Sequence, residues 1–134
     1  MPHVVVFYTA NLEDDIDMSA LCRKLADAML TVKDESGAQV FPTGGTRVFA
    51  YPATHFAVAD GSGDHAFCYF NLRMARGRST ATQQAAGQAL TAAAREHLAP
   101  VLAKRPVGLT LQVDEGAEVF DVKFGNLHPL FSRP

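Results

Sequence analysis

The sequence predicts an α+β fold, a four-stranded mixed sheet made of two tandem β-α-β units with both helices on one face. Three observations carry this. The hydrophobic period runs strand, helix, strand, and then repeats that order. The two halves also keep step. His3 and His65 open matching strands, and Asp17 and Ser79 stand at matching helix starts, 62 residues apart in both cases. Arg47 and Gly108 lie in the second strand of each half at about the same step. Side-chain identity between the halves is poor, so the architecture repeats and not the sequence. Finally, the strands are too apolar for a sheet with one face in water, so the face away from the helices should pack on other subunits. The 134 residues suit a single domain over 1–134, with pseudo-repeats at about 1–60 and 63–115 and a C-terminal tail over 116–134.

The elements follow in order. His3 to Tyr8 is β-branched and aromatic, which favours a strand. Asn11 to Asp17 is acidic and turn-like, and Asp17 can cap the next element by accepting from an exposed helix N–H. Met18, Leu21, Cys22, Leu25, Met29 and Val32 recur at helical spacing and define a helix from Met18 to Val32. Lys33 to Gln39 is a polar loop, and Val40 to Gly45 an irregular turn with paired glycines. Thr46 to Tyr51 is a second strand, which Pro52 ends or places at an edge. A turn at Ala59 to Asp64 leads into a third strand, His65 to Met74. Thr80 and Gln83 have capping-box spacing, and the alanine-rich run from Ala81 to Ala99 is a strong helix former. Pro100 lacks a donor and should end or kink that helix. Val107 to Val113 alternates as a fourth strand, Phe120 to Phe124 reads as a short fifth, and Asn126 to Phe131 closes the chain.

Composition removes whole classes of function. Apolar residues make up 48% and charged residues 19%, which describes a globular chain rather than a disordered one. The formal charge is −2 with no basic run, so nucleic acid is not an expected partner. No stretch approaches a membrane span, and the N-terminus lacks the layout of a signal peptide. Cys22 and Cys68 have no C-x-x-C spacing and read as buried free thiols of a cytoplasmic protein. The five histidines, at 3, 55, 65, 97 and 128, share no ligand spacing, so no metal is expected, and no cofactor motif occurs.

The chemistry left to the chain rests on Pro2, Arg47 and Arg78. Pro2 heads an apolar strand directly behind Met1. Once Met1 is trimmed, its nitrogen is a secondary amine on a rigid element, able to accept and return a proton. Arg47 follows Pro42-Thr43-Gly44-Gly45-Thr46, and Arg78 follows Arg76-Gly77 at the mouth of the second helix. Glycine turns bring backbone and side chain close to a ligand. The free N–H groups at that helix start also offer an anion site beside Arg78. Two guanidinium forks and an amine describe a pocket for a small dicarboxylate.

Several longer pieces fit one family. They are Met1-Pro2-His3; Phe41-Pro42-x-Gly44-Gly45-x-Arg47; Ala59-Asp60-Gly61 with Asp64-x-Ala66-Phe67; Gly77-Arg78-Ser79 with Gln83-Gln84-Ala85; and Asn126-x-His128-x-Leu130-Phe131. In this order and over nearly the whole chain, the sequence resembles the 5-carboxymethyl-2-hydroxymuconate isomerase family of the tautomerase superfamily. The resemblance implies a tautomerase-like homotrimer acting without a cofactor. It implies Pro2 as the general base and acid, and Arg47 and Arg78 as the residues that bind substrate. The reaction implied is enol–keto tautomerisation with a double-bond shift in an unsaturated 2-hydroxy di- or tricarboxylate, within breakdown of homoprotocatechuate. Phe49 stands where a second arginine is usual, Arg76 stands where a small residue is usual, and the loop from Thr31 to Gln39 is longer than the family pattern. Alternative readings are another activity of the same superfamily on a small 2-keto acid, and a non-catalytic trimeric binding protein.

A proline serving as base must be neutral at rest, so its pKa should lie near the working pH. An α-amino group sits near ~7.7–8.0 in model peptides, and a secondary amine is more basic. Burial beside Val4, Phe7 and Phe41, together with repulsion from the arginines, should lower it.

Overall fold

A computed structural model describes residues 2–131. Met1, whose removal the proline amine requires, and residues 132–134 of the expected tail lie outside them. The elements run β1 (His3–Thr9), α1 (Met18–Thr31), β2 (Arg47–Ala53), β3 (Ala66–Met74), α2 (Thr80–Leu102) and β4 (Val107–Glu115), with short 3-10 turns at Ala10–Leu12, Thr43–Gly45 and His128–Phe131. The sheet order is β2-β1-β3-β4. Within each half the strands are parallel, β1 with β2 and β3 with β4, and the halves join through the antiparallel β1–β3 pair. Parallel neighbours need a crossover, and the two helices supply it.

The helices and the inner sheet face make one core. Val4, Val6 and Tyr8 of β1 alternate inward with Cys68, Phe70 and Leu72 of β3, and Leu21, Leu25, Met29, Leu90 and Leu98 meet them from the helices. Asp17 caps α1, its side chain accepting from the Ala20 N–H at 2.9 Å. Among the described residues no layer covers the opposite face. Phe7 (50% exposed), Phe49, Tyr51 and Phe67 project from it, and Phe7 stacks on Tyr51 with centroids 5.5 Å apart. Apolar strands with one bare face are what the sequence predicts.

Three expectations change. The capping box at Thr80 does not form; Ser79 is the N-cap and accepts from the Thr82 N–H at 3.1 Å. The Gln83 side chain instead reaches across to Glu115. Pro100 lies inside α2, which runs on to Leu102, because one proline in a final turn removes a single donor. Phe120 to Phe124 forms no strand. A strand needs a ladder partner, and this stretch pairs with no sheet edge; Phe120 and Phe124 stand almost fully exposed.

Candidate active site

The start of β1, the turn before β2 and the turn before α2 meet at one end of the sheet. His3 of β1 is paired with Arg47 of β2 on one side and Arg73 of β3 on the other. The residue before His3 is Pro2, which is buried. Pro2, Arg47 and Arg78 line a single cavity of about 620 Å³. The three residues named from sequence are thus brought together across 76 positions of chain.

Each arginine is positioned by backbone carbonyls. Arg47 Nη1 donates to the Gly45 carbonyl at 2.8 Å and to the Pro2 carbonyl at 3.3 Å. Arg78 Nη2 donates to the Val40 carbonyl at 3.1 Å. A guanidinium has five donors in a rigid fork. Holding one end of the fork on main chain fixes its direction while the other donors stay available to a ligand. The turn from Phe41 to Gly45 also makes the floor: Phe41 is 2% exposed, and Gly44 and Gly45 let the chain pass close under the cavity.

The surroundings of Pro2 differ from the sequence-based expectation. Phe41 does line the cavity, but Val4 and Phe7 do not. Val4 points into the core and Phe7 onto the bare sheet face, as alternation along a strand requires. The apolar groups that replace them are Met74, from the end of β3, and Phe124 and Leu127, from the tail. Of the positions expected to depart from the family pattern, Ala75 lines the cavity, whereas Phe49 and Arg76 do not. Phe49 faces outward, and Arg76 Nε donates to the Gly116 carbonyl at 2.7 Å, tying the start of the tail to the turn before α2.

The start of α2 is not an open anion site. Glu35 already sits there, accepting from Thr82 Oγ1 at 3.0 Å. The Ser79 hydroxyl, its own backbone N–H and the Thr82 hydroxyl hold its carboxyl below the usual carboxylate range. The long loop delivers it. Asp34 Oδ1 accepts from Ser36 N at 2.9 Å and from Ala38 N at 3.0 Å, Gly37 takes a positive φ of 84°, and Lys33 bridges to Gln39. The loop thus places a carboxylate on the Ser79 and Thr82 hydroxyls at the start of α2, next to Arg78 in the chain.

Sequence reasoning also missed the tail as a wall of the site. Lys123 and His128 line the cavity with Phe124 and Leu127. The signal was present in the Asn126-x-His128-x-Leu130-Phe131 piece, which fitted the family without a role attached. No Asp or Glu lines the cavity among the described residues. The site is thus a cationic, otherwise largely apolar chamber with a proline at one end, and it suits a small polyanion.

A family model described as 5-carboxymethyl-2-hydroxymuconate isomerase matches residues 2–131. The chain belongs to the 5-carboxymethyl-2-hydroxymuconate isomerase family. Among individual relatives, the 5-carboxymethyl-2-hydroxymuconate Delta-isomerase of Escherichia coli is 27% identical over 131 residues, covering 98% of this chain and 99% of that protein. A crystal structure of a 5-carboxymethyl-2-hydroxymuconate delta-isomerase is 60% identical with a TM-score of 0.96, covering 100% of this chain and 95% of its own. A 5-carboxymethyl-2-hydroxymuconate isomerase from Deinococcus radiodurans R1 is 31% identical with a TM-score of 0.86, covering 98% and 95%. The isomerase-family fold accounts for the mixed sheet with its two helices. Among the described residues, no group of three or more His, Cys, Asp or Glu could hold a metal ion, and no helix is long and apolar enough to cross a membrane.

Proposed function

We propose that this isomerase-family protein converts 5-carboxymethyl-2-hydroxymuconate to its 2-oxo isomer without a cofactor, using Pro2 as base and acid. The observation that carries the reading is the single cavity shared by Pro2, Arg47 and Arg78 in a chain of this family.

With Met1 removed, the neutral Pro2 nitrogen takes the enol proton. The O–H bond breaks and C2=O forms. The C2=C3 double bond moves to C3=C4, and the electron pair of C4=C5 takes a proton at C5 from the same nitrogen. Atoms and charge balance with no other reactant. One group can serve both ends because the first proton is the one returned. Arg47 and Arg78 bind carboxylates and stabilise the dienolate charge as it spreads between O2 and C5. Phe41, Met74 and two guanidinium groups share the cavity with Pro2, surroundings that would favour the uncharged amine.

The same reading takes the protein to be a cytoplasmic homotrimer serving homoprotocatechuate breakdown. The bare sheet face around Phe7 and Tyr51 supports assembly, since water is a poor neighbour for such a patch. The test is an ultraviolet assay on protein whose loss of Met1 is verified by mass. Rapid loss of the dienol absorbance with 5-carboxymethyl-2-hydroxymuconate, abolished in Pro2→Ala, is the expected result. Equal turnover by Pro2→Ala would overturn the mechanism.

A further inference from the structure

The cavity is lined by one Lys or Arg more than a dicarboxylate needs. Arg47 opens β2 and Arg78 lies in the turn before α2, whereas Lys123 comes from the tail. The segment that carries Lys123 is anchored at both ends. On one side, Arg76 donates to the Gly116 carbonyl. On the other, the 3-10 turn at His128–Phe131 packs on the one at Thr43–Gly45, and a Cβ at Gly44 would stand 2.7 Å from the His128 Cα. The tail thus seats on a glycine that leaves room for it, and the stretch bearing Lys123 runs along the cavity between two anchored ends.

Lys123 is half exposed and pairs with Asp121, two residues away on the same strand of tail. An exposed ion pair contributes little to stability, so a ligand carboxylate already held in the cavity can take Lys123 from it. The cation types also differ in a way that suits different carboxylates. Planar arginine forks match carboxylates held in the plane of a conjugated chain. A lysine ammonium on a flexible stem is a point charge that can follow a carboxylate on a freely rotating methylene.

We propose that Lys123 is the subsite for a third carboxylate, borne on a side branch of the dienol, and that Asp121 occupies the ammonium until substrate displaces it. This rests on the reading of Arg47 and Arg78 as the anchors for the two chain-end carboxylates. In 5-carboxymethyl-2-hydroxymuconate the branch is the carboxymethyl group; plain 2-hydroxymuconate lacks it. Lys123 thereby makes the site selective for the branched triacid.

The test compares the two dienols in wild type, Lys123→Met, Asp121→Asn and Lys104→Met, the last a control for net charge at an exposed position. For Lys123→Met the expected result is a KM about tenfold higher for the triacid, the scale of a lost charged hydrogen bond, with little change in kcat or in either constant for 2-hydroxymuconate. Asp121→Asn should lower the triacid KM. An equal effect on both dienols, no effect, or the same effect in Lys104→Met would overturn the subsite. Calorimetric titration with propane-1,2,3-tricarboxylate and glutarate separates this from the isomerase reading. Tighter tricarboxylate binding that Lys123→Met removes supports the subsite even if neither dienol reacts, a result that would sink the isomerase reading alone. Equal binding of the two acids by wild type and Lys123→Met would overturn the subsite even with full activity.

Discussion

At Gly44 any other residue would place a carbon 2.7 Å from the His128 Cα and 2.8 Å from its Nδ1. The close atom is backbone, so the tail must shift to accommodate it. Gly44→Ala should therefore destabilise the fold by about 1–3 kcal/mol, as overpacking does elsewhere, and should also impair activity by opening the cavity. A melting curve and a KM measured on the same preparation check both halves. Pro2→Ala should lower kcat by at least about 10²-fold, within the usual range for loss of a general base, while leaving the melting temperature nearly unchanged. Pro2 and both arginines were legible in the sequence because each stands beside a feature with a local meaning, an initiator methionine or a glycine turn. Lys123, Met74 and Phe124 were not. A lysine, a methionine and a phenylalanine in unmarked surroundings read as surface or core until the fold sets them beside the cavity.

Among the elements, β1 and β3 carry two groups, Tyr8 and Cys68, whose protons are held more tightly by burial. Burial raises the Cys68 thiol from 9.0 to about 12, and burial, with the hydrogen bond to Glu13 adding to it, raises the Tyr8 phenol from 10.0 to about 12. In both cases the folded state holds its proton more tightly than the unfolded state. The stability tied to these protons is fully present below the unfolded values and drains away as pH rises through 9 and 10 toward 12. The melting temperature should be level at neutral pH and fall across that alkaline window; a flat profile through it would contradict the assignment. At the helices, the α1 boundary was readable because Asp17 caps through a local bond. The α2 cap was displaced by one residue, and the Glu35 carboxylate to which Thr82 donates, 47 positions distant, has no local signature. Ser79→Ala should remove the cap and cost about 1 kcal/mol, measurable by denaturant midpoint.

For the whole molecule, the bare sheet face and the tail raise the same question. Phe7, Phe49, Tyr51 and Phe67 stand on one side of the sheet, and Phe120, Phe124 and Leu130 project from the tail. A soluble chain rarely leaves so much apolar surface uncovered. We expect sedimentation at micromolar concentration to give a trimer. Tyr51→Lys, which places a charge beside Phe7 on the bare face, should shift it toward monomer. A stable wild-type monomer would remove the trimer and leave that face without an explanation.

The chain by itself determined the alternation of strands and helices, the equal spacing of the two halves, and the identity of a proline and two arginines at turns. All of these follow from short-range physics: side-chain period, capping and glycine conformational freedom act within a few residues. Only the tertiary structure decided that the tail lines the cavity, that Glu35 meets the hydroxyls at the start of α2, and that Phe120 to Phe124 joins no strand among the described residues. Each depends on which surfaces are left free once the sheet has formed. That is a property of the packed chain, and no window of sequence contains it.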